Sequence, residues 1–415
     1  MSSQRVVLHV GTPKSGTTYL QDLMWASRPA LAQAGVSYPG DHPGAHFHAA
    51  LDAKRESFHG WVDPDVPGAW SRLVTAARDH EGTTVISHEL FGDLTADQAA
   101  AALADLDFAE VHVVVTARDL SRTLPAVWQE NVKNRSPMPF PHYLDIVCPG
   151  SRRSGAPYHP VGDEDGYATE FWLRQDLPAL LRRWGATLPP SRVHLVTVPP
   201  AGTDPALLWE RFAEVLDVDP ALASLPEGRR NQSLGQVESE LLRRLNERLG
   251  DDLEWPVHEA RITHLLGRVA LPAREGAVPL TLPADVRDWA AARADVMLDE
   301  LAGLDFHVVG DVDDLLVAES RREEVDRTPE AGDLLDAALD ALIALVPVPE
   351  ALPAAPPPAP EAEVSDTDPA ILVDADAAFV APRDRGNLQG VGLRRWLQQA
   401  RSLARRPPTR VATPG

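Results

Sequence analysis

A short loop bordered by glycines near the N-terminus has the residue types that hold an anion. Residues 5–10 are mostly apolar and predict a strand, residues 11–16 predict a tight loop, and Thr17 predicts the start of a helix. Glycine permits sharp turns, successive backbone N–H groups can line the concave side of such a loop, and a helix N-terminus carries partial positive charge. We therefore expect this loop to bind an anionic ester.

The position of the lysine indicates which kind of ester to expect. In the nucleoside-triphosphate loop G-x-x-x-x-G-K-[ST], the lysine follows the second glycine and the next hydroxyl binds Mg²⁺. Here Gly11 and Gly16 keep that spacing, but Thr17 replaces the lysine and Lys14 lies inside the loop. A kinase-type loop is therefore the less favoured alternative, and a glycine-rich turn that only joins strand to helix is another.

The sequence PKSGTT in this loop resembles the phosphosulfate loop of sulfotransferases that use 3′-phosphoadenylyl sulfate (PAPS). The resemblance implies that loop amides, the ammonium of the lysine and three hydroxyls hold the 5′-phosphosulfate. The residues concerned are Pro13, Lys14, Ser15, Gly16, Thr17 and Thr18. Lys14 would also take part in catalysis, by neutralising charge on the leaving phosphate.

A second group of polar residues follows the strand predicted for residues 83–86. On an extended chain, Ser87 and Glu89 share one face and His88 lies on the other. Sulfuryl transfer needs a base that takes the proton of the acceptor nucleophile. Sulfotransferases carry a histidine or a glutamate at a similar position, so the resemblance implies Glu89 as the base and His88 as the alternative. Polar residues that only cap the strand are a further possibility.

A third feature ends the apolar run VHVVVT, which predicts a central parallel strand buried on both faces. In sulfotransferases a comparable strand ends in an arginine, and a serine eight residues later helps it to bind the 3′-phosphate of PAPS. Arg118 resembles that arginine, and a guanidinium suits a phosphate. The serine position holds Ala126, so Ser121 and Arg122 are the available substitutes. An Arg118–Asp119 pair that only holds a turn is the alternative.

Strands and helices alternate along the chain and must position these three features. Helices are predicted at residues 17–34, 93–106, 123–133, 167–184, 204–216, 231–250 and 283–301. Ser233 and Gln236 predict a capping box, and Pro125 predicts that its helix begins near Thr123. Residues 37–69 and 136–166 are rich in proline and glycine and predict loops. We therefore predict an α/β fold with a P-loop-type parallel β-sheet flanked by helices, and a ligand at the carboxyl ends of the strands.

Composition narrows the class of function. The 415-residue chain has a formal net charge of −22, which argues against general nucleic-acid binding. Cys148 is the single cysteine, so an internal disulfide is excluded. His46 and His48 lack a matching third ligand in the sequence, and no metal is predicted. A signal-peptide pattern and a membrane-length apolar run are both missing, so we expect a cytoplasmic enzyme.

Changes in composition divide the chain into four parts. Residues 1–315 form the predicted α/β domain, and residues 316–346 an acidic segment followed by a helix. Residues 347–382 are rich in proline and alanine and predict an extended linker. Residues 383–415 contain a predicted basic amphipathic helix. Within this part, residues 383–410 would contact an anionic membrane surface, an acidic partner or the chain's own acidic domain.

The resemblance covers about residues 5–300, in which the three features occur in the expected order. It implies a PAPS-dependent sulfotransferase that transfers a sulfuryl group to a hydroxyl or amine without a metal. The acceptor is a carbohydrate, a lipid or a small molecule that the sequence does not identify. The alternatives are a P-loop small-molecule kinase that uses ATP and Mg²⁺, and a non-catalytic nucleotide-binding module tethered by its basic tail.

Overall fold

A computed structural model describes residues 4–151, 166–224, 233–317 and 329–345. The chain divides into two units, Met1–Val348 and Pro349–Gly415, and all described residues belong to the first. The linker predicted at residues 347–382 and the amphipathic helix predicted at residues 383–415 lie outside the described residues.

One sheet of six parallel strands forms the centre of the first unit, in the order β2-β3-β1-β4-β5-β6. The strands are β1 (Arg5–His9), β2 (Val36–Ser37), β3 (Thr83–Ser87), β4 (Glu110–Ala117), β5 (Val193–Thr197) and β6 (His307–Val309). Carboxyl ends of parallel strands lie at one edge of a sheet, so the segments that follow β1, β3 and β4 meet there. The predicted α/β class, with a parallel sheet flanked by helices, is confirmed.

Fourteen α-helices surround the sheet in the described residues. They are α1 (Thr17–Ala26), α2 (Arg28–Gln33), α3 (Ala45–Lys54), α4 (Ala69–Arg78), α5 (Ala96–Asp105), α6 (Leu120–Lys133), α7 (Phe140–Val147), α8 (Tyr167–Gln175), α9 (Leu177–Gly185), α10 (Ala206–Leu216), α11 (Gln236–Leu249), α12 (Trp255–His258), α13 (Ala284–Ala302) and α14 (Ala331–Leu345). A π-helical segment, Glu259–Ala270, follows α12, and a 3₁₀ helix, Glu89–Asp93, follows β3. Among the described helices, none is long and apolar enough to cross a membrane.

Alternating residues of the sheet pack against different helices. Val6, Leu8 and Val113 face a layer made mainly of α3, α4, α5 and α9. Val7 and Val114 face the opposite layer, made of α1, α2 and α10. Helices α6, α7, α8, α11 and α13 form a further apolar cluster. The central strand β4 is buried from its second residue to its last, as predicted from its continuous apolar run.

Two predicted helices are each a pair of shorter helices. Residues 17–34 form α1 and α2, and residues 167–184 form α8 and α9. In both cases a proline, Pro29 or Pro178, lies in the first turn of the second helix. Proline cannot donate the backbone hydrogen bond of a helix interior, so the chain restarts the helix there.

Three other local predictions are wrong. Helix α6 begins at Leu120 because the Asp119 side chain caps it, accepting a hydrogen bond from the Arg122 amide at 3.0 Å, and Pro125 lies inside the helix. Helix α11 begins only at Gln236, after Gly235, so the predicted capping box does not form. The segments predicted as loops contain α3 and α7.

Candidate active site

The loop of residues 11–16 connects β1 to α1 at the carboxyl edge of the sheet. Its first residues continue the pairing with β4, because the Thr12 amide donates to the Thr116 carbonyl at 2.7 Å and the Thr116 amide donates to the Gly11 carbonyl at 2.6 Å. Lys14 has φ +64° and Gly16 has φ +83°. These left-handed conformations turn the chain sharply between strand and helix. The result is a strand, tight loop and helix in the predicted order.

A buried row of polar side chains lies beneath the loop. His9 Nδ1 is 2.8 Å from Ser87 Oγ, and His9 Nε2 is 3.0 Å from Thr116 Oγ1. Thr116 Oγ1 is in turn 2.6 Å from Ser15 Oγ, which also donates to the Thr12 carbonyl. Burial lowers the pKa of His9 to about 4, so the ring is neutral at pH 7. This row links β1, β3 and β4 to the loop and fixes its shape.

Ser15 differs from the two threonines in what its hydroxyl contacts. The Ser15 hydroxyl is fully buried within this row, so its side chain supports the loop from below. Thr17 is buried at the start of α1, and Thr18 is exposed.

Two contacts hold the loop against neighbouring helices. The Pro13 carbonyl accepts a hydrogen bond from Gln175 Nε2 at 3.0 Å, which ties the loop to α8. A Cβ on Gly16 would lie 2.3 Å from Leu208 Cδ2, so α10 packs directly on this glycine.

Lys14 forms an ion pair with Glu130 of α6, with Nζ 2.6 Å from Oε2. Two further cations contact the same carboxylate, Lys133 at 3.6 Å and Arg268 at 3.1 Å. Burial alone would raise the pKa of the Glu130 carboxyl, but these three cations hold it well below its usual range. Glu130 therefore stays ionised, and the surplus of positive charge around it favours a further anion.

Glu89 lies against the first glycine of the loop. A Cβ on Gly11 would come within 3.2 Å of both Cα and Cβ of Glu89. Gln21 Nε2 is 3.3 Å from Glu89 Oε2. Burial would raise the pKa of Glu89, but the interactions with His88, the local backbone and Lys14 lower it overall. The carboxylate is thus ionised at neutral pH and keeps a quarter of its side-chain surface exposed.

His88 takes a different position from the one predicted by strand alternation. Strand β3 ends at Ser87, and His88 caps the 3₁₀ helix that begins at Glu89, with Nδ1 accepting a hydrogen bond from the Leu90 amide at 3.1 Å. Its Nε2 lies 4.0 Å from Glu89 Oε2, and its ring contacts Phe47 of α3. Burial lowers the pKa of His88, so the ring is neutral at pH 7 and is already engaged in holding the backbone.

Arg118 connects the end of β4 to the loop. Its Nη1 donates to the Lys14 carbonyl at 3.2 Å, and its Nη2 donates to the Arg122 carbonyl at 2.8 Å. Its Nε is buried and has no hydrogen-bond partner in the described part of the chain. Burial and the neighbouring Arg122 lower the pKa of Arg118 to about 10, against the opposing effect of Asp119, so it remains charged at pH 7.

A cavity of about 590 Å³ lies beside Arg118, within the size range of small-molecule sites. Ser121 and Arg122 also line it, together with Gln129 and Arg287. Ser121 donates to Asp119 Oδ1, and Arg122 pairs with Asp119 and donates to the Pro199 carbonyl at 3.1 Å. Asp119, the alternative partner considered for Arg118, therefore pairs with Arg122 instead.

The acid that partners Lys14 does not follow from the sequence. Glu130 and Lys133 are one turn apart on α6, which indicates a helical ion pair but no contact with the loop. Arg268 comes from the π-helical segment, and nothing in the sequence connects it to this site. The sequence places His9 only in a strand. A histidine inside an apolar strand is the one signal that could have identified the buried row.

Comparison of the chain with protein-family models, with curated proteins and with solved structures finds no match.

Proposed function

We propose that the chain is a sulfotransferase that moves a sulfuryl group from PAPS to a hydroxyl or amine of an acceptor. The observation that carries the proposal is the hydrogen bond from Arg118 Nη1 to the Lys14 carbonyl, 3.2 Å long. It joins Lys14, which the resemblance assigns to the 5′-phosphosulfate of PAPS, to Arg118, which the resemblance assigns to the 3′-phosphate. In this proposal the loop of residues 11–16 is a phosphosulfate-binding P-loop.

The region around Arg118 suits the 3′-phosphate and the nucleoside. Arg118 is positively charged, keeps a buried Nε that has no partner among the described residues, and borders a cavity of about 590 Å³. Arg122 lies in the same cavity wall, where it pairs with Asp119. A phosphate that accepts from Arg118 Nε would satisfy a group that no described residue pairs with. The absent serine at position 126 is then replaced by a second arginine.

The region around Lys14 suits the group that is transferred. The acceptor oxygen or nitrogen forms a bond to sulfur while the bond from sulfur to the bridging phosphate oxygen breaks. Lys14 would neutralise the charge that develops on that oxygen, and the loop amides would hold the equatorial sulfuryl oxygens. Glu89 would take the proton of the acceptor. The products are a sulfated acceptor and adenosine 3′,5′-bisphosphate (PAP).

Glu130 gives Lys14 a partner in the absence of ligand. The Lys14 ammonium would turn from the carboxylate toward the sulfonate when PAPS binds, while Lys133 and Arg268 keep Glu130 paired. The cost of this exchange is small, because the remaining cations still balance the acid. Glu130 would therefore act as a positioning residue that holds Lys14 beside the cleft.

The first experiment measures ligand binding without an acceptor. Titration calorimetry would compare PAP with AMP, which lacks the 3′-phosphate, on the wild type and on Arg118→Ala. We expect the wild type to bind PAP more tightly than AMP by at least tenfold, and the variant to lose most of that difference. Arg192→Ala removes an arginine just before β5, at the opposite edge of the sheet, and serves as the matched control.

The second experiment measures transfer. Isotopically labelled PAPS would be incubated with fractionated acceptor extracts and either the wild type or Lys14→Ala. The proposal requires labelled product and PAP from the wild type, with at least a hundredfold loss in the variant. Equal transfer by both proteins would contradict the role of Lys14.

The same preparations separate the proposal from its rivals. A kinase would bind ATP with Mg²⁺ and ignore PAP. One observation favours a non-catalytic module: the Lys14 ammonium is already engaged in an ion pair with Glu130. It predicts PAP binding that survives Lys14→Ala, without turnover in any acceptor fraction.

A further inference from the structure

Two histidines and an aspartate converge away from the proposed nucleotide cleft. His42 precedes α3, His48 lies in its first turns, and Asp65 lies in the segment before α4. One potential ligand atom from each residue lies within 4.8 Å of the other two. The sequence separates these residues by up to 23 positions, so only the fold brings them together. Two imidazoles and a carboxylate form a common ligand set for Zn²⁺ and related divalent metals.

His48 provides an independent indication that the cluster binds a ligand. Its Nδ1 is buried and has no hydrogen-bond partner in the described residues. A buried imidazole nitrogen without a partner loses the hydrogen bond that water would give it, and a metal ion would replace that bond.

The other two ligands are held in place by their surroundings. His42 Nδ1 accepts one long hydrogen bond from the Gly44 amide at 3.2 Å, and its ring packs against His48 with centroids 5.0 Å apart. If the metal binds Nε2 of His42, Nδ1 must carry the proton and can no longer accept the hydrogen bond from the Gly44 amide. The ring must therefore rotate slightly. The Asp65 amide donates to Asp63 Oδ1 at 2.9 Å, and Arg72 of α4 donates to the Asp65 carbonyl.

We propose that His42, His48 and Asp65 bind one Zn²⁺ ion, which joins the segment before α3 to the segment before α4. With metal–ligand bonds of about 2.0 to 2.2 Å, one ion can join ligand atoms that lie this close together, so it would tie the two segments to each other. A water completes the four ligands. The ion has a structural role and lies outside the sulfuryl-transfer chemistry. It stabilises α3, whose Phe47 contacts His88 next to the proposed base.

The experiment uses the full chain without a histidine tag. After dialysis against EDTA, Zn²⁺ is titrated in competition with a chromophoric chelator, and Co²⁺ is added separately to record visible absorption. We expect one Zn²⁺ per chain, intense Co²⁺ bands of a tetrahedral site, and a higher midpoint of thermal unfolding with Zn²⁺. His48→Ala and Asp65→Asn should each weaken Zn²⁺ binding on the order of 100-fold, since even outer-shell changes cost up to that factor.

A matched control separates this site from adventitious binding. His264→Ala removes an exposed histidine of the π-helical segment and should bind Zn²⁺ as the wild type does. Circular dichroism of each metal-free variant shows whether it folds. Substoichiometric binding, or folded His48→Ala and Asp65→Asn proteins that keep wild-type affinity, would overturn the proposal.

Discussion

The carboxylate of Glu130 lies 2.6 Å from the ammonium of Lys14, so the lysine of the loop of residues 11–16 already has a negatively charged partner. Lys133 and Arg268 share that carboxylate. Three cations therefore contact one acid beside the loop of residues 11–16. An anion that binds at Lys14, as proposed, would compete with Glu130 and would be attracted by the surplus charge.

Glu130→Gln tests this competition. Because the amide keeps the shape but removes the charge, PAP should bind several-fold more tightly, as measured by titration calorimetry. The same change leaves three cations without a counter-charge and should lower the free energy of unfolding by about 1 to 3 kcal/mol. Glu247→Gln removes an exposed acid on α11 and should change neither quantity. Unchanged or weaker PAP binding in Glu130→Gln would contradict the competition.

Gly11→Ala tests the contact between the loop and Glu89. Gly11 has φ +107°, and an added Cβ would lie 3.2 Å from the Glu89 Cα. The alanine should destabilise the fold by about 1 to 3 kcal/mol and weaken PAP binding, because the loop must move away from the backbone of Glu89. Gly35 has φ +78°, and in the described part of the chain nothing lies within 4 Å of an added Cβ, so Gly35→Ala should show backbone strain alone. Equal effects of the two changes on PAP affinity would show that the contact is unimportant.

Glu89→Gln and His88→Asn distinguish the two candidate bases. If Glu89 takes the proton, Glu89→Gln lowers kcat on the order of 10²- to 10⁴-fold while PAP affinity changes little. Since the pKa of Glu89 is lowered, the wild-type rate should stay constant as the pH falls to about 5. His88→Asn should retain most of the activity, because an asparagine can still cap the 3₁₀ helix. The opposite ranking of the two variants would assign the role to His88.

The buried His9 predicts a pH dependence of stability. Its pKa is about 4 in the folded protein and about 6.5 in an unfolded chain, so protonation favours the unfolded state. The stabilisation is complete above about pH 6.5 and is lost as the pH falls toward 4. One such group contributes about 2 kcal/mol between pH 8 and pH 5.

Urea unfolding at several pH values measures this contribution. His9→Gln should reduce the fall in unfolding free energy between pH 8 and pH 5 by about that amount, whatever its effect at pH 8. His264→Gln alters an exposed histidine and should leave the slope unchanged. His46 and His194 are buried and also have lowered pKa values, so a residual slope is expected in both variants. A wild-type slope in His9→Gln would show that His9 does not titrate in this range.

Local patterns predict β1, β3 and β4, because these strands contain apolar runs. They do not predict β2 and β6, which have only two and three residues. The positions of the loop glycines and of Arg118, after β1 and after β4, also follow from the order of strands and motifs along the chain. The pairing of Lys14 with Glu130 could not be predicted, since it joins residues 116 positions apart through the packing of α6. The cluster of His42, His48 and Asp65 was missed for the same reason, and His46 instead donates its Nε2 proton to the Pro39 carbonyl.

The close approach of Gly11 to Glu89 limits how the proposed reaction can be adjusted. Main-chain atoms set the separation between the strand end that carries the base and the turn that would hold the sulfuryl donor. Side-chain rotation cannot change this main-chain separation, so the loop and the backbone of Glu89 would move together. If Glu89 is the base, selection among acceptors would then come from the surrounding walls, which can vary while this main-chain separation stays the same.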